Sequence, residues 1–269
     1  MPPAPRVTGN LPAELTSFVG RRGELAEVKR LLAGSRLVTL TGVGGVGKTR
    51  LALRAAAALR RAFRDGVWLV QLDQVRDQEL VAQAVATALG LQDRAGHAPG
   101  TALADYLAGR DLLLVLDNCE HLVDAVAKLA DLLLPAAPGL RVLATSRESL
   151  NMTGESVKAV PPLPVPEAGR RLSVAELARF PAAGLFAERA AQVVAGFEVT
   201  EANVAAVAGI CRRVEGLPLA IELAAARLPV LSPEQIEVRL GDRLGLLTRG
   251  GRTPAGSPAD TAGLDRVEL

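Results

Sequence analysis

Cysteine is scarce. Only Cys119 and Cys211 occur in 269 residues, far apart and without C-x-x-C spacing, which excludes a cysteine metal cage and a disulfide framework. They read as two buried thiols in a reducing compartment. Long apolar runs are missing as well: no stretch approaches the roughly 18 residues that cross a bilayer, and the N-terminal MPPAPRVTGN has no apolar signal-peptide core. The chain is therefore expected in the cytoplasm and away from membranes. No charge of one sign dominates either, since the net charge is +2 with basic and acidic residues interleaved. The sequence pI near 8.8 reflects that small excess, not a basic face. With no helix-turn-helix carrying a basic recognition helix, direct nucleic-acid binding by this chain is not expected. What remains is a composition of 49% hydrophobic and 22% charged residues, enough for one large globular domain or two modest ones.

The most informative stretch is TGVGGVGKTR, Thr41 to Arg50. Gly42, Gly47, Lys48 and Thr49 fit G-x-x-x-x-G-K-[ST] behind the short β-forming run RLVTL and ahead of the helix-forming LALRAAAALRRAF. A glycine-rich loop between a strand and a helix aims several backbone N–H groups at one place, and the helix N-terminus adds positive potential. The loop residues Gly42, Gly44, Gly45, Val46, Gly47, Lys48, Thr49 and Arg50 are thus expected to bind phosphates. Lys48 would reach the terminal phosphates and Thr49 would offer its hydroxyl to Mg2+.

Around this loop strands and helices alternate. The spacing predicts a helix over 22–33, strands over 36–40, 66–72, 111–117, 140–146 and 156–160, and intervening helices over 78–89, 101–108 and 122–134. Strands that are apolar throughout and separated by helices predict an α/β fold with a parallel sheet covered by helices on both faces, as in a P-loop NTPase. A small all-α helical domain follows. The expected organisation is a flexible leader over 1–12, a nucleotide-binding α/β domain over 13–165, a linker over 166–181, a helical domain over 182–249 and a disordered tail over 250–269.

Magnesium needs a second hard oxygen ligand from the tip of another buried strand. DLLLVLD supplies Asp117, expected to be solvated beside the phosphates. The next residues, Asn118, Cys119, Glu120 and His121, are where a hydrolytic enzyme needs a base. Glu120 is the local candidate, with helix-dipole complementation as the other reading. Asn118 can orient water but cannot accept a proton, and His121 reads as a helix-start residue. Arg147, after LRVLATS, places a permanent cation at a strand tip within reach of a γ-phosphate.

Five motifs in order, FVGR (Phe18 to Arg21), the phosphate loop, LLLVLDN, LATSRE and GLPLA (Gly216 to Ala220), resemble the NB-ARC or STAND type of signal-transduction ATPase. The resemblance is to the module of AfsR-like and LuxR-like bacterial transcriptional regulators, and it extends from Leu11 to about Arg252. It implies that Val19 and Arg21 pack on an adenine and that Pro218 closes the base pocket. It also implies that Lys48, Thr49 and Asp117 hold phosphate and Mg2+, and that Arg147 senses the γ-phosphate. Such modules work as ATP/ADP switches, with slow or regulated hydrolysis and a protein partner or self-association as the output. The alternatives are a self-sufficient ATPase and a non-hydrolysing interaction module. The resemblance further implies a winged-helix domain beginning after RLGDRLGLLTRGGRT, where this sequence reads PAGSPADTAGLDRVEL. That departure leads to the expectation of a chain truncated before that domain, for which a one-nucleotide frameshift would account.

Overall fold

The computed structural model describes residues 9–14, 16–91 and 98–249, with side chains described to residue 241. The expected disordered tail and the point of departure from the winged-helix pattern lie outside these residues. Five strands form one parallel sheet in the order β2-β3-β4-β1-β5: β1 (Leu37–Thr41), β2 (Val67–Gln71), β3 (Leu112–Asp117), β4 (Leu140–Thr145) and β5 (Glu155–Ala159). Parallel pairing requires a crossover between consecutive strands, and helices supply most of these links.

Side-chain alternation along the strands divides the core into two layers. Leu112, Leu114 and Leu116 of β3 face one layer with Val142 and Ala144 of β4, and helices α3 (Val81–Ala88), α4 (Pro99–Leu107) and α5 (Val123–Ala136) cover it. Leu113 and Val115 face the other layer with Val38 and Leu40, beneath α1 (Arg22–Gly34) and α2 (Lys48–Leu59). A strand buried on both faces must be apolar at every position, which is why LLLVL carries no alternation. The α/β expectation with helices on both faces is therefore met.

Residues 9–12 depart from the expected flexible leader. Gly9 bridges Val67 in parallel, and Asn10 pairs with Leu69 through both ends of its amide, accepting from the backbone N–H at 2.6 Å and donating to the carbonyl at 2.8 Å. One side-chain amide thus satisfies a peptide group on the exposed edge of β2. The expected linker, 166–181, also carries structure: α6 (Val174–Leu177) is opened by a capping box in which Ser173 and Glu176 bond each other's backbone N–H.

Beyond it, α7 (Pro181–Val193), α8 (Val204–Arg213), α9 (Pro218–Ala225) and α10 (Pro233–Arg249) enclose a separate apolar cluster around Phe186, Val207, Ile210 and Ile221. Phe186 meets Phe197 edge to face at 6.1 Å. Val19 and Leu163, from either side of the sheet's sequence, also pack into this cluster. Among the described residues no helix is long and apolar enough to cross a membrane.

Both cysteines are buried and unpaired, and burial pushes each thiol up to about 12. The folded chain therefore keeps two protons that the unfolded chain releases near pH 9. This contribution to stability is complete below that value and is lost as pH rises toward 12. A disulfide-exchange reagent at pH 8 should label neither thiol in the native protein and both after denaturation; rapid native labelling would show that the burial is wrong.

Candidate functional site

The loop between β1 and α2 lies at the C-terminal edge of the sheet. Gly42 has φ 146° and a side chain there would meet the Val160 carbonyl at 2.9 Å, while Gly47, at φ 93°, begins α2 in the left-handed region. Both positions require glycine. No side chain caps α2 and no acidic residue lies in its first turn, so its leading N–H groups and dipole present positive potential toward the loop.

Lys48 is buried and folds back along the loop, donating to the carbonyls of Gly42 at 2.8 Å and Val43 at 3.2 Å. Burial lowers its pKa, with Arg147 acting in the same direction and Glu120 and Asp117 opposing. Val46 is buried, so it can offer an anion only its backbone.

Asp117 is only 2% exposed, which corrects the expectation of a solvated carboxylate. Its Oδ1 accepts hydroxyl hydrogen bonds from Thr49 at 2.7 Å and Thr145 at 2.6 Å. Thr145 in turn accepts the backbone N–H of Asn118 at 3.0 Å, where the chain turns through a left-handed φ of 61°. The tips of β3 and β4 and the start of α2 therefore meet on one carboxylate. Among the described residues no group of three or more His, Cys, Asp or Glu could hold a metal ion. The Thr49 hydroxyl and Asp117 carboxylate nevertheless form a hard-oxygen pair beside the loop, the donor set that suits Mg2+ when phosphate oxygens complete its shell.

Glu120 lies in a turn of 3-10 helix at Cys119–His121, with Oε1 3.4 Å from Nε of Arg147 and Oε2 buried without a hydrogen-bond partner. Arg147 is largely exposed, and its Nη2 lies 4.0 Å from where a side chain on Gly44 would begin. The structure thus brings Glu120 and Arg147 together at the loop. His121 instead donates from Nε2 to the Val75 carbonyl, 2.8 Å away, on the surface.

Across the loop sits α9. The Leu219 N–H donates to the Gly45 carbonyl at 3.2 Å, and Pro218 lies 3.9 Å from the position of a Gly47 side chain. Val19, Arg21, Gly47, Arg50 and Pro218 line one narrow cleft with Phe18, Leu163, Leu185 and Glu222. Residues from the FVGR segment, the loop and the helical region therefore converge on one place.

Two of them act differently from expectation. Arg21 is buried, and its Nη2 donates to the carbonyls of Val46 at 2.8 Å and Pro161 at 2.9 Å, so it fastens the loop instead of only packing in the cleft. Burial lowers its pKa, opposed by Glu24 at 3.8 Å. Arg50 points away from the loop, donating to the Thr16 carbonyl at 2.9 Å, to Ser17 and to Glu222 at 3.4 Å. Sequence reasoning missed Thr145, Leu219 and Glu222. Thr145 carried a usable signal, being the polar end of an apolar strand, LRVLAT.

Residues 31–151 match the family model described as an AAA domain. A putative HTH-type transcriptional regulator of Mycobacterium tuberculosis is 44% identical over 225 residues, covering 84% of this chain and 24% of that protein. The regulatory protein AfsR of Streptomyces griseus is 35% identical over 157 residues, covering 51% of this chain and 15% of AfsR. The chain therefore spans about a quarter or less of these two relatives' length. A solved signal transduction ATPase with numerous domains, with a tetratricopeptide repeat sensor, from Pyrococcus horikoshii superposes with TM-score 0.52 at 14% identity, covering 87% of this chain and 33% of that one. That likeness concerns the fold. Together with the geometry, these findings show a P-loop fold in which residues 31–151 are similar to an AAA domain.

Replacing Arg21 with Met keeps most of the buried volume but leaves the Val46 and Pro161 carbonyls without their charged donor. The expected cost is about 1–3 kcal/mol in urea unfolding; an unchanged midpoint would show that the loop is held by other contacts.

Proposed function

We propose, from the P-loop fold and the similarity of residues 31–151 to an AAA domain, that this chain is an adenine-nucleotide-binding switch module of a signal-transducing transcriptional regulator, with slow or regulated hydrolysis of ATP. One observation carries the reading: Gly47 of the phosphate loop and Pro218 of α9 line the same narrow cleft, and α2, which begins at that glycine, pairs the Thr49 hydroxyl with the Asp117 carboxylate. The backbone N–H groups at the start of α2 and the Lys48 ammonium bind the β- and γ-phosphates. Thr49 and Asp117 hold Mg2+, which when bound neutralises phosphate charge. The adenine occupies the cleft between Val19 and Pro218, the base identity resting on the resemblance to nucleotide switches of the NB-ARC type.

Slow turnover follows from the groups beside Asp117. The adjacent Asn118 cannot take a proton, and Glu120 is paired with Arg147, which restrains it as a base. Arg147, exposed above Gly44, is placed to register a γ-phosphate by charge-assisted hydrogen bonding. The nucleotide then sets the position of α9 relative to the loop, and a protein partner or a second copy of the chain reads that position in the cytoplasm. Nucleic acid is bound by other parts of the regulator.

Titration calorimetry should show ATP and ADP binding with Mg2+, little affinity for GTP, and loss of at least tenfold in affinity on Lys48→Ala, roughly 1.4 kcal/mol or more. Equal affinity for the wild type and Lys48→Ala would refute the phosphate-loop assignment.

A further inference from the structure

Glu222 of α9 has no part in phosphate or magnesium binding, yet it lies at the junction of three separate segments. Its Oε1 accepts from Nε of Arg189 on α7 at 3.0 Å and from Nη1 of Arg50 on α2 at 3.4 Å. Arg50 continues the connection by donating to the backbone carbonyls of Thr16 and Ser17, immediately before Phe18 and Val19 of the cleft. Arg189 cannot easily turn elsewhere. Its side chain is 9% exposed, a second hydrogen bond at 2.7 Å ties it to Glu188, and its Nη2 is buried without a partner. Glu188 receives the Ser17 hydroxyl as well, which closes the circuit.

We propose that Glu222 is a positioning residue for the nucleotide cleft: anchored by Arg189, it holds Arg50 and thereby fastens both α9 and the Thr16–Ser17 strap over bound nucleotide, slowing its release. The proposal rests on the nucleotide-binding reading above and concerns the regulation of that site. The physical argument is one of few alternatives. Apart from this pair, the described contacts of α9 with the loop are one backbone hydrogen bond, Leu219 to Gly45, and the apolar packing of Leu219 on Gly45 and of Pro218 on Gly47. The Arg50 and Glu222 side chains are each about a third exposed, at 36% and 34%, so salt screens their attraction, whereas the backbone bond and the apolar contacts are indifferent to salt. An arriving partner with its own charges could therefore compete for Arg50 or Glu222 and loosen the cleft without touching the phosphates.

The test is displacement of methylanthraniloyl-ADP from the full chain, followed by fluorescence in a stopped-flow chase over a range of salt. Glu222→Gln keeps the size and one acceptor but removes the charge. Arg50→Gln breaks the same link from the other end while leaving Arg189–Glu222 intact, so it reports even if Glu222→Gln folds poorly. Each variant should release the analogue about fivefold faster than wild type at low salt. The double variant should be no faster than either single, and the acceleration of wild-type release by salt should flatten in all three. Wild-type release rates with the wild-type salt slope would overturn the proposal while leaving nucleotide binding intact, as would single effects that simply multiply. A wild-type chain that binds no analogue would overturn it together with the reading beneath it.

Discussion

The buried Asp117 carboxylate is the constraint on which the site depends. At 2% exposure its charge is tolerable only with donors in place, and Thr49 and Thr145 supply them on one oxygen. Satisfying that charge fixes three termini relative to one another: the tips of β3 and β4 and the first turn of α2. Because β1 lies between β4 and β5, the loop leaving β1 is delivered to the same edge of the sheet. The loop's glycines then bend it so that the leading N–H groups of α2 and Lys48 share one small volume. The leading N–H groups of α2 have no side-chain cap, which leaves them open to an external anion.

The second element of the account is how the helical region reaches that volume. It is attached through the backbone bonds between Leu219 and Gly45 and between Gly216 and Leu163, through the side-chain links Arg50–Glu222 and Ser17–Glu188, and through Leu217, which packs against the sheet. The core of the helical region, centred on Phe186 and Ile210, is a cluster distinct from the sheet's two layers, and Leu217, at the start of α9, packs against the layer beneath α1 and α2.

Much of this was legible in the sequence because the pertinent signals are local. The unbroken apolar run before Asp117 announces a strand buried on both faces, and the spacing from Gly42 to Thr49 announces the loop, since each depends only on neighbouring residues. Contacts across the chain were not legible. Asp117 reads as a solvated strand-end carboxylate until β4 is known to place Thr145 beside it, 28 residues later. Asn10 reads as part of a polar leader because nothing in its surroundings reveals the free edge of β2. Glu222 reads as an ordinary helix-surface carboxylate, for its two arginines come from other elements. α6 is a different case: the Ser173 and Glu176 capping pair was visible, but four residues are too short for periodicity to register.

The central claim is that the loop and α9 form one cradle around one nucleotide. Hydrogen exchange measured on the full chain with and without ADP and Mg2+ tests it most directly. The account predicts slowed exchange both in the loop and first turn of α2, residues 42–50, and in α9 with its preceding turn, residues 216–225. Protection confined to the loop, with α9 exchanging as fast as in the free chain, would contradict it.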